Sequence, residues 1–320
     1  MRAIGGFFEL ETGLTGTAEY HRGALAVSSG RVAFRLALEQ LKPSRVRLPF
    51  YSCHSLLEPV LALGLPYEYY ALDRNLHPPD FPDMREDDCV VVINCFGLLS
   101  GKIRELADRY GPRVVIDNTQ AFFDAPMPGV FSFNSARKFF GVPDGSYLFS
   151  PVPLTPPALD NDSTSIFHLE ERTRGNLPAA YEAFKAHEAE FDTIPRRMSA
   201  YSQQILSRLD YPACQRRRRD NFDCYQKVFG PSNALALPGD LSAVPMCYPL
   251  LPERPIDRAA CHSQGIFIPT LWPEVAGSSH PGFSFERNFA TNLLPLPVDH
   301  RYGIAKLNAV IEIVKNAMSS

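Results

Sequence analysis

Two short runs constrain this chain more than anything else in it: residues 89–95 (CVVVINC) and 113–117 (RVVID). Both are nearly continuous β-branched sequence with no polar alternation. A strand with one wet face alternates, whereas one without alternation must be covered on both faces, as in parallel sheets flanked by helices. Between them, 101–110 predicts a helix, which is the crossover that two parallel strands require.

The flanking sequence extends this pattern. Residues 28–41 open on Ser-Ser-Gly and then space Val32, Leu36, Ala37 and Leu41 helically, which predicts a glycine-fed helix start. Further strands are expected at 46–51, 67–72, 130–134 and 146–149, with a helix at 54–63 stopped by Gly64. The first 150 residues therefore read as a doubly wound α/β unit. The segment 151–157 (PVPLTPP) breaks the pattern and leads into a polar surface loop through Ser163. Helical sequence resumes at 177–190 and 199–209, and 302–317 closes the chain as an amphipathic helix carrying Ile304, Leu307, Val310, Ile311 and Val314. The resulting division is a large α/β domain over 1–210 and a smaller α+β domain over 211–320.

Composition excludes several classes. A net charge of −3, with 45% hydrophobic and 21% charged residues, suits a globular protein and gives no footprint for nucleic acid or an anionic membrane. No apolar run has membrane-spanning length and the N-terminus lacks a signal-peptide core, so the cytoplasm is expected. The seven cysteines form no CxxC pair and the eight histidines no metal-binding spacing; buried thiols in a reducing compartment, and no metal, are expected. The four-arginine run 216–219 reads as a solvated helix face or a subunit contact, with contact to an anionic substrate as the functional alternative, and Trp272 as core packing or the lining of a cleft.

Three pieces carry chemistry. Asp117 ends an apolar strand, where ligands of open α/β sheets bind, and a carboxylate there could hold a protonated ring nitrogen or simply cap the next turn. Residues 131–145 (FSFNSARKFFGVPDG) deliver small hydroxyls, then Arg137 and Lys138, then an Asp-Gly turn; such a set suits a phosphate and an amine nucleophile. Ser28-Ser29-Gly30-Arg31 stands at a helix start, either an anion site or a plain serine cap.

In this order and spacing the three pieces resemble the sugar aminotransferase (DegT) branch of the fold-type I pyridoxal-phosphate (PLP) enzymes. SSGRVAFRLAL resembles the family's phosphate-binding helix start, VVIDNTQAFF its EDxAQ-like strand end, and FSFNSARKFFGVPDG its SFxxxK segment. The likeness continues through INCFG at 93–97, RRMSAYSQQIL at 196–206 and 293–315. It implies a three-layer fold-type I architecture, with a mostly parallel central sheet and a smaller C-terminal α+β domain. It further implies PLP as cofactor, a keto-sugar substrate, an amino donor such as glutamate, and a homodimer. Dehydration of the sugar, or a non-catalytic binding role on the same scaffold, are the alternatives. By residue, the resemblance gives Asp117 the pyridine nitrogen, Gln120 the ring hydroxyl, and Gly30, Arg31 and Ser132 the phosphate. His54 or Tyr51 would stack on the ring, because Cys53 falls where the family has an aromatic residue. Gapless alignment sets Arg137 on the Schiff-base lysine, and arginine cannot form that bond. Either the loop shifts by one residue and Lys138 serves, or the chemistry is lost.

Overall fold

The computed structural model describes residues 3–161, 164–238 and 242–319. In it, Cys89, Val90, Val91 and Val92 are fully buried within one strand. Burying a valine contributes about 1.5–3 kcal/mol, so this strand is among the strongest anchors of the fold. In chain order the strands are β1 Ile4–Gly5, β2 Leu25–Val27, β3 Arg45–Pro49, β4 Tyr67–Tyr70, β5 Asp88–Ile93, β6 Val114–Asn118, β7 Phe131–Asn134, β8 Ser146–Phe149, β9 Cys247–Leu250, β10 Ile266–Phe267 and β11 Leu294–Pro297. The helices up to residue 229 are α1 Gly30–Leu41, α2 His54–Ala62, α3 Ser100–Tyr110, α4 Phe167–Arg174, α5 Leu177–Ala189, α6 Ala200–Leu206 and α7 Tyr211–Phe229.

Seven strands form the central sheet in the order β2-β8-β7-β6-β5-β3-β4. All neighbours from β4 across to β7 are parallel, and only β8 runs antiparallel to its neighbours β7 and β2. The chain leaves β3 towards β4 but advances the other way from β5 to β6. With right-handed crossovers, this reversal sends α2 and α3 to opposite faces and opens a crevice beyond the carboxyl ends of the strands. The architecture is a mixed α/β fold around a mostly parallel sheet, as the sequence resemblance implies.

A second hydrophobic core joins Phe222, Tyr225 and Phe229 of α7 to Leu307, Val310 and Val314 of the terminal helix Ile304–Ser319 and to the β9–β11 pair. Ile4 belongs to this core too, because β1 pairs in parallel with β10. Conversely, Trp272, Phe283 and Phe289, late in the chain, pack into the core of the central sheet. The N-terminal strand and these late aromatics thus cross between the two halves of the sequence.

Two expectations need correction. Helix α4 was not expected, because FHLEERTR has a single aliphatic residue; its buried face is built from His168, Leu169, Glu171 and Arg172. The preceding loop is as expected in position, although Asp162 and Ser163 lie outside the described residues. The run 216–219 is not a uniformly solvated face. Arg218 is fully buried and donates to the carbonyls of Phe139, Pro245 and Met246, because α7 turns that position inward every 3.6 residues.

Candidate functional site

Register fixes the first half of the site. Asp117 stands next to last in β6, paired with Ile93 on one side and Phe133 on the other. Its carboxylate reaches the carboxyl end of the sheet, where Oδ1 accepts the Thr119 N–H at 2.8 Å. Burial raises its pKa, opposed by the nearby Lys138 charge and the bonds from Thr119. Helix α1 begins beside it. Ser29 caps the helix by accepting the Val32 N–H at 3.3 Å, a cap worth about 1 kcal/mol. Gly30 follows, and a Cβ there would lie 3.4 Å from the Thr119 methyl and 3.7 Å from the Phe133 ring.

The second half depends on a tight turn. After β7 the chain makes one 3-10 turn, Ala136–Lys138. At three residues per turn, adjacent side chains diverge by about 120°. Lys138 therefore points into the site, its Nζ donating to Thr119 Oγ1 at 3.4 Å. Arg137 points elsewhere. It pairs with Glu188 of α5 and lies 4.2 Å from the centre of the Phe191 ring. Thr119 thus links the buried carboxylate, through its N–H, to the lysine, through its hydroxyl.

The remaining sequence-derived residues are distributed unevenly. Arg31 stands at the start of α1, but its Nε is paired with Glu58 at 2.6 Å and its guanidinium lies 5.8 Å from the Phe191 ring. Gln120 is buried, with Oε1 accepting the Phe96 N–H at 2.6 Å. Ser132 pairs in register with Ile116, one residue out of phase with the Asp117–Phe133 pair. Successive side chains alternate faces, so Ser132 leaves the sheet on the face opposite Asp117. Its buried hydroxyl has no hydrogen-bond partner among the described residues.

The two proposed stacking residues sit in different surroundings. His54 is exposed at the head of α2, its N–H donating to Glu274. Tyr51 is fully buried edge-on against Trp272 and Phe289, which also accounts for Trp272 as packing. Cys53, the N-cap of α2, is the member of that stretch that feels the site: burial raises its thiol pKa, Lys138 lowers it and Asp117 raises it. Sequence reasoning did not single out Thr119, Glu58 or Glu188. Thr119 was within sight as the second residue after a strand-end Asp, where an Asx turn is expected. The two glutamates carry no local signal, since each meets its arginine across 27 or 51 residues.

No family model matches the chain, and no curated protein matches it by sequence. Solved structures do. The sugar aminotransferase CalS13 from Micromonospora echinospora superposes with a TM-score of 0.64 at 20% identity, covering 92% of this chain and 87% of that one. The putative sugar aminotransferase Spr1654 from Streptococcus pneumoniae, in its PMP form, covers 99% and 98% of the two chains, with a TM-score of 0.65 at 13% identity. DesI, determined in the presence of its TDP-sugar product, gives 0.61 at 16% identity, covering 93% and 81%. A mostly parallel seven-stranded sheet, a glycine-led helix at its carboxyl end and near-complete superposition agree on one architecture. This chain has the fold of the sugar aminotransferases of the DegT, DnrJ, EryC1 and StrS type.

Proposed function

We propose that this protein is a PLP-dependent aminotransferase that passes an amino group from a donor such as glutamate to a nucleotide-linked keto-sugar. The observation that carries the reading is the divergence of two neighbouring cations: Lys138 shares Thr119 with Asp117, while Arg137 is taken up by Glu188. A lysine is thereby available to the site despite the arginine at the gapless position. The substrate class follows from the fold neighbours, one of which was determined with a TDP-sugar product.

The residues fit the cofactor in their chemistry. Bound PLP supplies an electron sink. Asp117, a buried carboxylate with an acceptor oxygen, would hold the ring nitrogen and keep its proton. Lys138 would attach the cofactor through Nζ and then use the same atom to hold and move a proton. The N-terminus of α1, opened by Gly30, would face the phosphate. Gln120 retains its amide N–H groups for the ring hydroxyl, its oxygen being committed to Phe96. Thr119, by bonding both Asp117 and Lys138, orients them towards one another.

The reading includes a cytoplasmic homodimer. No helix among the described residues is long and apolar enough to cross a membrane. Sedimentation that finds only monomer would count against the dimer. The central test is borohydride reduction of PLP-treated protein followed by peptide mapping. A pyridoxyl adduct on Lys138 is expected; an adduct on no lysine overturns the reading. Product analysis with a keto-sugar then separates amino transfer from dehydration.

A further inference from the structure

The segment that follows Lys138 is gripped from two sides by residues far away in sequence. From within, Arg218 of α7 donates through Nη2 to the Phe139 carbonyl at 3.0 Å, and its guanidinium lies 4.5 Å from the Phe139 ring. Its Nη1 is shared by the carbonyls of Pro245 and Met246 at 3.3 and 3.2 Å. From the other side, Glu11 of the N-terminal segment accepts the Gly141 N–H through Oε1 at 3.0 Å, while its own N–H donates to the Gly141 carbonyl at 3.4 Å. The approach is close enough that a Cβ on Gly141 would run into the Glu9 carbonyl oxygen. His300 Nε2 stands 3.3 Å from the Glu11 carboxylate.

Arg218 is an expensive way to fill this space. It is fully buried, its three hydrogen-bond acceptors are neutral carbonyls, and its Nε finds no partner among the described residues. The carboxylate of nearby Asp299 is engaged by Arg301, at 2.7 and 3.1 Å. Burial without a paired carboxylate brings the Arg218 pKa down to about 10. A packed apolar side chain of similar length would stabilise the fold as well or better. A guanidinium is needed instead where three carbonyls from two segments must be held in one geometry, and one of those carbonyls adjoins Lys138.

We propose that Arg218 and Glu11 are positioning residues for Lys138: together they pin the Phe139–Gly141 backbone, so that the 3-10 turn before it aims Lys138, and not Arg137, at Asp117. This rests on the reading of Lys138 as the cofactor-bearing lysine. The test uses the cofactor-free full-length protein and reductive methylation with formaldehyde and cyanoborohydride, with rates at each lysine read by peptide mass mapping. Exposed Lys42 serves as the internal reference. In Arg218→Met, the Lys138 rate relative to Lys42 should change about tenfold or more, and Arg218→Lys should restore part of the difference. Glu11→Ala should shift the ratio in the same direction. A Lys138-to-Lys42 ratio in folded Arg218→Met matching wild type overturns the proposal. If circular dichroism shows that Arg218→Met does not fold, Glu11→Ala decides by the same criterion. Borohydride trapping of PLP on the wild type is run in parallel. Failure there removes the aminotransferase reading, while the methylation ratios still report on positioning.

Discussion

The two halves of the site are built by different means. The strand-end half, from Ser29 and Gly30 to Asp117 and Thr119, is fixed by sheet register and by a helix cap, and its hydrogen bonds span two or three residues. The loop half, from Ser135 to Gly141, contains one short 3-10 turn, and its direction is set by partners 79 and 130 residues away. The first half tolerates change in its surroundings, because a central parallel strand cannot slip by one residue without turning its apolar side chains out of the core. The second half has no such protection. A one-residue offset there exchanges an arginine for a lysine, which is the difference between an inert and a reactive group.

The largest effect expected from breaking this contrast lies on the strand-end side. Asp117→Asn keeps the shape of a buried side chain but removes its charge. Amino transfer to a keto-sugar should fall by about 100-fold or more, with the melting temperature little changed. A variant retaining wild-type turnover would separate Asp117 from the chemistry.

On the loop side the expected lesion is structural. Gly141→Ala forces the Glu9–Glu11 segment off the loop, which should lower unfolding free energy by about 3 kcal/mol in urea titration. Gly129→Ala, at φ +82° with open space around it, should cost only about 1 kcal/mol of backbone strain. Equal losses at the two positions would mean that the segment does not grip the loop.

The smallest effect is read from pH. Burial disfavours the charged form of His300, but the neighbouring Glu11 carboxylate and Cys214 thiol outweigh it and raise the pKa to about 9. The pKa is raised on folding, so the stabilisation is full below about pH 6.5 and is lost as pH rises towards 9. His300→Gln should flatten this alkaline decline in stability-versus-pH curves. An unchanged slope would show that the ion pair with Glu11 adds nothing to the clamp.

Much of this protein was legible in its sequence because short-range rules govern it. Unalternating valines demand a doubly covered strand, Ser-Ser-Gly announces a helix start, and an apolar run ending in Asp sets a carboxylate at the sheet's carboxyl edge. The stretch FHLEERTR hid helix α4, because its buried face is made of histidine, glutamate and arginine, which propensity alone does not send inward. Ser132 looked like a phosphate ligand from its neighbours in sequence, yet strand alternation turns it to the other face. Arg218 looked solvated as one of four arginines, yet helix periodicity turns it into the core.

The sequence by itself determined the parallel strands β3 to β7 and the position of Asp117, since β-branched runs, caps and crossovers act over a few residues. Only the tertiary structure decided which of Arg137 and Lys138 faces that carboxylate. A single 3-10 turn has too few internal bonds to aim a side chain, so its direction is set by Glu188, Arg218 and Glu11, and these meet it only once the chain has folded.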